Sequence, residues 1–138
     1  MKLTKQQRAE LKMKFGGHCA YCGELLGDKW HADHIEAVKR DLEFVPGVGL
    51  RTTKEMLRPH NDNLENMNPA CVPCNTNKSS MSLESWRRSI AHYRDVQLLR
   101  DSNHARHLHR FGLIEIKPDP VVFFFEKWRG GSDQHLTR

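Results

Sequence analysis

All four cysteines of the chain fall in two pairs, and two residues separate the members of each pair. The pairs are Cys19 with Cys22 and Cys71 with Cys74. A gap of two residues lets both thiolates of a pair reach one tetrahedral metal ion at about 2.3 Å, and two such pairs complete a four-sulfur shell. The spacing therefore predicts a structural zinc site. Because such a site has no open coordination position, any catalysis must lie elsewhere in the chain.

Two other interpretations of the cysteines remain open. One pair could be a thiol redox pair, although thioredoxin-like sites need a βαβ setting and only one pair. Two disulfides would suit an oxidising compartment, but the start of the chain, "MKLTKQQRAELKMKF", lacks the apolar core of a signal peptide. We therefore expect a cytoplasmic, reducing location. No run of about eighteen apolar residues occurs, so no membrane span is expected.

The size and charge of the chain narrow the range of functions. With 138 residues, we expect a single domain with one modest core, which a bound metal would help to stabilise. The formal net charge is +5 and the pI is near 9.2. A moderate basic excess is compatible with a polyanionic partner such as nucleic acid, although many other proteins share it.

The residue pattern predicts mixed α+β structure, in which a zinc site would tie two distant segments together. In the first half we expect a helix over 4–15, capped by Thr4 with Gln7 in a capping box, and a β-hairpin over 29–38 around Asp33 and His34. A long loop over 39–62 and a turn-rich segment over 63–70 should follow, and then a helix from Asn75. A longer helix should begin after Ser82 and continue to Gly112, with a strand over 121–128 and a loose tail after Gly130; the residues of this helix expected to point inward are Leu83, Trp86, Ile90, Tyr93 and Leu98. Zinc would fold the hairpin onto the helix that begins at Asn75.

Three segments, "CAYCG", "ADHI" and "NMNPACVPCNTNK", together resemble the HNH nuclease family in its cysteine-rich form. The family pattern joins a CxxC, an acidic residue and His in a hairpin, an Asn five residues before a second CxxC, His or Asn directly after that pair, and a Lys three residues later. Here the positions outside the cysteine pairs are filled by Asp33, His34, Asn66, Asn75 and Lys78. The third motif position is thus Asn rather than His, as in the HNN forms of the family.

The resemblance implies a small α+β domain of the ββα-metal (His-Me finger) type, held together by the four-cysteine zinc site. The core would span about residues 15–85, followed by a helical and strand extension over about 86–128 and a loose tail over 129–138. The small basic chain and its late segments "RFGLIEI" and "VVFFFEKW" are also similar in layout to small HNH proteins encoded by phages. That similarity implies action in the cytoplasm of a host cell.

The resemblance also implies an activity, a metal-dependent DNA endonuclease that hydrolyses phosphodiester bonds by nicking or double-strand cleavage. His34 would be the general base, since a neutral imidazole near pH 7 can take a proton from water. Asp33 and Asn75 would hold the catalytic ion, and their oxygens suit Mg²⁺ or Mn²⁺. Asn66 would hold the loop geometry that orients the base.

Each of these roles has an alternative that the residues leave open. Asn75 could instead be the N-cap of the helix, where Asn is a preferred residue, and Asn77 is the rival metal ligand. Asp33 could be a turn or salt-bridge residue, and Asn66 an ordinary turn residue. The nearby Asn63 and Asn68 also obscure which asparagine occupies the middle position of the motif.

The predicted partner is DNA, contacted mainly through its phosphate backbone. The basic residues expected to meet phosphates are Lys78, Arg87, Arg88, Arg106 and Arg110, with a solvated surface as the alternative for each. The helical spacing of His104, His107 and His109 is poor for one shared metal ion. Because no recognition domain is evident, we expect either low sequence specificity or specificity supplied by a partner protein. The alternative function is a zinc-held DNA-binding module with weak or no catalysis, acting within a larger phage or nucleic-acid assembly.

Overall fold

The computed structural model describes residues 1–38, 42–52 and 59–130, which form a mixed α+β fold with two small antiparallel sheets. The elements are α1 (Lys5–Lys12), β1 (Trp30–His34), β2 (Leu42–Val45), β3 (Gly49–Thr52), β4 (Met67–Cys71), α2 (Val72–Lys78), α3 (Leu83–His92), α4 (Leu98–Asp101) and α5 (Asn103–Arg110). The structure also contains short helical turns. Three of them are 3-10 turns, at Pro59–Asn61, Leu64–Asn66 and Phe124–Lys127, and one is a π-helical turn at Tyr93–Gln97. No helix among the described residues is long and apolar enough to cross a membrane. The expected loose tail lies almost wholly outside these residues.

The predicted start of α1 is confirmed. The backbone N–H of Gln7 donates to the Thr4 hydroxyl at 3.1 Å, and the Gln7 side chain accepts from the Thr4 backbone N–H at 2.9 Å. Two donors that the first helical turn leaves unpaired are thereby satisfied. The helix buries Leu11 and ends earlier than expected, at Lys12, before Gly16 and Gly17 adopt positive φ angles of 66° and 85°.

Strand β1 does not form the local hairpin that was predicted over 29–38. It pairs instead with β4, in an antiparallel register that sets Trp30 opposite Cys71 and Asp33 opposite Asn68. The segment over 63–70 was expected to consist of turns, because its asparagines and Pro69 are typical of turns rather than strands. Burial of four of the five β4 residues outweighs that local preference. The pairing carries β1 directly to the second cysteine pair.

Helix α2 begins three residues before the predicted start at Asn75. Cys71 is its N-cap and Pro73 lies in its first turn, where the missing N–H of proline costs no hydrogen bond. Asn75 is therefore inside the helix, and its interpretation as the N-cap is wrong. The helix packs on both β1 and β4 and ends at Ser79, whose N–H donates to the Asn75 carbonyl at 3.0 Å.

A second hairpin occupies part of the segment predicted as a long loop over 39–62. Strands β2 and β3 pair around a turn in which Gly47 and Gly49 have φ angles of 84° and 100°. The hairpin is attached to α3 by buried Phe44, whose N–H donates to the Ser85 hydroxyl at 2.8 Å. The alternation "LEFV" followed by "PGVG" is a hairpin signal that the surrounding charged residues obscured.

The segment over 121–128 is not the predicted C-terminal strand. Phe123 and Phe124 are both buried, whereas successive residues of a strand point to opposite faces. The N–H groups of Phe124 and Phe125 donate to the Tyr21 and Ala20 carbonyls at 2.9 and 2.8 Å, and a 3-10 turn follows. The aromatic run thus packs around the first cysteine pair and completes the main core.

The predicted helix from Ser82 to Gly112 is present but interrupted. Ser82 caps α3, and Ser102 leaves helical geometry to cap α5, with φ −116° and ψ 109°. Tyr93 and Leu98, predicted to point inward, are 36% and 38% exposed. The π-helical turn at Tyr93–Gln97 inserts a residue into the helical repeat, which changes the direction of Leu98 relative to the buried face of α3.

Candidate metal centre and adjoining cleft

The four cysteines lie close enough to hold one metal ion. Their sulfur atoms are all within 4.8 Å of one another, and the Cys22 and Cys71 sulfurs are 3.7 Å apart. A tetrahedral ion with bonds of about 2.3 Å requires sulfur separations of about 3.8 Å, so this four-cysteine cluster fits zinc. The backbone N–H groups of Tyr21 and Cys71 each donate to the Cys19 sulfur at 3.4 Å. The cluster is the only group of three or more metal-binding side chains with such spacing that the structure describes, so the three histidines of α5 do not form one.

The sulfurs of the cluster alter one another's ionisation. The Cys74 thiol donates to Cys19 and lowers the pKa of Cys19 to about 4. The same hydrogen bond raises the pKa of Cys74 above its usual range, and burial raises the pKa of Cys22 to about 12. One thiolate is stabilised by its neighbours, and ionisation of the others needs a cation to offset their mutual repulsion.

A buried polar group connects the cluster to the end of β1. Tyr21, which lies between the cysteines of the first pair, donates from its hydroxyl to Asp33 Oδ2 at 2.5 Å. Lys78 Nζ lies 3.1 Å from the same oxygen and donates to the His34 carbonyl at 2.8 Å. The Lys78 and Asp33 side chains are only 1% and 5% exposed. Lys78 was expected at a DNA phosphate, and its burial corrects that prediction.

One carboxylate oxygen of Asp33 is bonded to neighbouring side chains, and the other has no such partner among the described residues. Burial raises the pKa of Asp33, and the Lys78 charge and the Tyr21 hydrogen bond offset part of that increase. Burial and the nearby Asp33 charge also raise the pKa of Tyr21, so its hydroxyl stays a donor. Both neighbours bind Oδ2, and no hydrogen bond or ion pair among the described residues uses Oδ1.

His34 is paired with a carboxylate that the sequence did not suggest. Its Nε2 lies 3.0 Å from Asp62 Oδ1, and Asp62 also contacts the amino group of Met1. The pKa of Asp62 is lowered, first by the amino group and then by His34. Because an ionised carboxylate only accepts, His34 Nε2–H is the donor in this contact. Asp62 lies among several turn residues in "PHNDNLEN", and no spacing distinguishes it from them.

Asn66 holds the segment that follows His34. Its amide oxygen accepts from the Glu36 N–H at 3.0 Å, and its amide nitrogen donates to the Glu36 and Asn61 carbonyls at 2.7 and 2.8 Å. The Asn66 carbonyl also accepts from the Ile35 N–H at 2.8 Å. Asn63 instead caps the preceding 3-10 turn, so Asn66 is the asparagine that shapes this loop.

Asn75 lines the same cleft as Asp33, whereas the Asn77 side chain is hydrogen-bonded elsewhere. A cleft of about 570 Å³ is lined by four residues with carboxylate, imidazole or amide side chains, Asp33, His34, Asp62 and Asn75, together with Met1, Ala32, Ala37, Val38, Thr76, Ser79 and Ser80. The Asn75 side chain makes no hydrogen bond to another described residue. Asn77 accepts from Trp86 Nε1 at 2.7 Å and donates to the Tyr93 hydroxyl at 3.1 Å, so it has no free oxygen for a metal ion.

The remaining basic residues predicted at DNA are mostly engaged within the protein. Arg87 bonds Glu84, Glu126 and the Val121 carbonyl and covers the Phe123 ring at 4.6 Å. Arg106 donates to the Leu99 and Arg100 carbonyls at 2.7 Å, and Arg110 contacts His107. Arg88 is exposed on α3 and has no such partner within the described part of the chain. Of the five basic residues predicted at DNA, Arg88 is thus the one whose side chain is not engaged within the described part of the chain.

The chemistry of the cleft is that of proton transfer and hard-cation binding. It combines an imidazole paired with a carboxylate, a second carboxylate with one available oxygen, and an amide. The four-cysteine cluster lies at the opposite end of the β1–β4 pair, next to Trp30 and Cys71. No family model, curated protein or solved structure matches the chain.

Proposed function

We propose that the protein is a metal-dependent DNA endonuclease of the HNH type. The observation that carries the proposal is that Asp33, His34 and Asn75 line one cleft although Asn75 lies 41 positions after His34 in the sequence. The arrangement of β1, β4 and α2, with the four-cysteine cluster at one end and the cleft at the other, supports a ββα-metal architecture.

Two oxygen donors of the cleft suit a hard divalent cation. Asp33 Oδ1 is free of protein partners among the described residues, and the Asn75 amide lines the same cleft. Carboxylate and amide oxygens bind Mg²⁺ or Mn²⁺, with water and substrate phosphate completing the shell. When bound, such an ion supplies charge stabilisation at the phosphate and at the leaving 3′-oxygen. Zinc is assigned to the four-cysteine cluster, where its role is structural.

His34 acts as the general base in this proposal. Its imidazole takes a proton from the water that attacks phosphorus, and Asp62 holds the ring tautomer and stabilises the imidazolium that forms. Asn66 holds the backbone on the far side of His34. The 3′-oxygen leaves with a proton from solvent, which yields a 5′-phosphate and a 3′-hydroxyl.

The orientation of the two neighbouring side chains suits in-line attack. Successive residues on a strand point to opposite faces, and Asp33 is buried toward Tyr21 while His34 reaches Asp62. The base and the metal ligand therefore approach a bound phosphate from different sides. In-line displacement needs this separation, because the water attacks opposite the leaving oxygen.

One observation favours a second function, a zinc-held DNA-binding module without catalysis. Lys78 neutralises Asp33 in a buried ion pair, and a neutralised carboxylate attracts a cation weakly. In that case the cleft would contribute to the structure, and the exposed Arg88 would contact the DNA backbone. The two functions predict different outcomes in one cleavage experiment.

The test is cleavage of supercoiled plasmid by the zinc-loaded protein with Mg²⁺, Mn²⁺ or no added metal. We expect His34→Ala to slow cleavage by about a hundredfold or more, because it removes the general base. The matched control is His31→Ala, which changes an exposed histidine on the same strand and should cleave at the wild-type rate. Relaxed and linear products distinguish nicking from double-strand cleavage.

Two results would contradict the nuclease assignment. One is a His34→Ala protein that cleaves as fast as wild type, which would attribute the activity to another site or to a contaminant. The other is a folded wild-type protein that binds the plasmid but cleaves it with neither metal. The second result favours the DNA-binding module.

A further inference from the structure

The charge balance of the cleft suggests how a cation would bind there, an inference that rests on the proposed nuclease function. Lys78 compensates the negative charge of Asp33 at 3.1 Å, inside the protein, where water screens the interaction little. Asp62 is similarly shared between His34 and the amino group of Met1. Asn75 is neutral. The side chains that line the cleft therefore present no uncompensated carboxylate.

The hydrogen bonds of Asp33 also limit the number of protein oxygens that can bind a cation in the cleft. Tyr21 and Lys78 both bind Asp33 Oδ2, at 2.5 and 3.1 Å, so Asp33 can offer only Oδ1 to the cleft. With Asn75 this makes two protein ligands, of which one is uncharged. Mg²⁺ and Mn²⁺ keep several waters and bind through one or two carboxylates together with the phosphates of a substrate.

We propose that Lys78 and Tyr21 are positioning residues that commit one oxygen of Asp33 and cancel its charge, so that the cleft binds a divalent cation tightly only together with a DNA phosphate. The phosphate supplies the negative charge and the oxygen ligands that the protein side chains do not. Linkage then requires each ligand to raise the affinity of the other by the same factor. The protein would thus bind the cation and the DNA as a pair.

The experiment measures Mn²⁺ binding rather than cleavage. The zinc-loaded His34→Gln protein, which lacks the base but keeps a side-chain N–H donor for Asp62, is titrated with Mn²⁺ while the electron paramagnetic resonance signal of free Mn²⁺ is followed. The titration is repeated with a short DNA duplex and corrected for Mn²⁺ bound by the duplex alone. We expect the duplex to raise the Mn²⁺ affinity by about tenfold or more. Mn²⁺ should raise the duplex affinity, measured by fluorescence anisotropy, by the same factor.

Variants in the same background separate charge from geometry. Lys78→Met should bind Mn²⁺ without DNA about tenfold more tightly, because the Asp33 carboxylate is then no longer offset by the lysine ammonium. Lys14→Met is the matched control, since Lys14 contacts Met67 and Asn68 instead of Asp33 and should leave the affinity unchanged. Tyr21→Phe removes a hydrogen bond without changing charge, so Mn²⁺ binding should remain dependent on DNA. Asp33→Asn should abolish binding in the cleft.

Lys78 is fully buried, so its replacement carries a risk of unfolding. Asn75→Asp provides the same test at a half-buried position: an added carboxylate should give Mn²⁺ binding without DNA and reduce the effect of the duplex. The inference is overturned if the zinc-loaded His34→Gln protein binds Mn²⁺ equally well with and without the duplex. It is also overturned if Asn75→Asp, or a folded Lys78→Met, leaves the affinity unchanged. None of these measurements needs cleavage, so a failed nuclease assignment is recognised separately, from the plasmid assay.

Discussion

Asn66 shows how one side chain can fix the shape of a site without touching a substrate. Its amide makes three hydrogen bonds to the backbone of Glu36 and Asn61, on both sides of the segment that joins His34 to Asp62. Each bond contributes about 0.5–1.5 kcal/mol. Because an amide both donates and accepts hydrogen bonds, one side chain makes all three contacts. The distance between His34 and Asp62 therefore depends on Asn66.

We predict that Asn66→Ala lowers the free energy of unfolding by about 2–3 kcal/mol, because three backbone hydrogen bonds are lost. Plasmid cleavage should fall as well, since the His34–Asp62 pair loses its support. Asn66→Asp is the matched control: it keeps the acceptor for the Glu36 N–H, loses both donors, and should have an intermediate stability. Urea unfolding measures the effect, and wild-type stability in Asn66→Ala would refute the supporting role.

At the residue scale, groups with a characteristic spacing could be predicted from the sequence, whereas contacts between residues far apart along the chain could not. The two CxxC pairs were found because local geometry dictates which sulfurs can share an ion. Asn66 was selected among its neighbours by the family resemblance, which places an Asn five residues before the second cysteine pair. Asp62 and the Tyr21–Asp33 contact have no such signature, because their partners lie far along the chain. The burial of Lys78 was missed for the same reason, since lysine is usually exposed.

At the scale of elements, local signals identified the helices and missed the strand pairing. The cap at Thr4 and the helix start after Ser82 are encoded within four residues of each helix start, and both were predicted. The partner of β1 was not, because β4 contains residues with poor strand propensity and is stabilised by burial against α2. The aromatic run over 121–128 has strand propensity, but it packs on the first cysteine pair through both Phe123 and Phe124.

The docking of that aromatic segment leads to a prediction at Gly23. This glycine has a φ angle of 82°, and a Cβ atom there would lie 2.6 Å from Cδ1 of Phe124. We expect Gly23→Ala to destabilise the protein by about 2–4 kcal/mol, from backbone strain together with displacement of a packed ring. Gly27→Ala is the matched control, since a Cβ there meets nothing within 4 Å. Thermal unfolding of both variants measures the difference, and equal melting temperatures would contradict the packing of Phe124 on the turn.

At the scale of the whole molecule, the four-cysteine cluster joins two segments that lie far apart in the sequence. The first pair lies in the turn that follows α1, and the second lies where β4 passes into α2. Cys19, Ala20 and Tyr21 also belong to the main hydrophobic core, with Trp86 and Phe123 packed on the Tyr21 ring at 5.1 and 5.6 Å. The metal site and the core are therefore one cooperative unit, and the cleft depends on it through Tyr21 and α2.

Removal of the cluster metal should therefore unfold the protein. Binding of a structural zinc ion contributes on the order of 10 kcal/mol to the free energy of folding. This is comparable to the whole free energy of unfolding of a typical domain, about 5–15 kcal/mol. We expect a strong chelator to abolish the helical circular dichroism and to expose Trp86, shifting its fluorescence to longer wavelength. Added Zn²⁺ should restore both signals, whereas excess Mg²⁺ should not, because thiolates bind it poorly. If the chelated protein kept both signals, the hydrophobic core alone would suffice for folding, and the cysteines would have to be explained by another role, such as thiol redox chemistry.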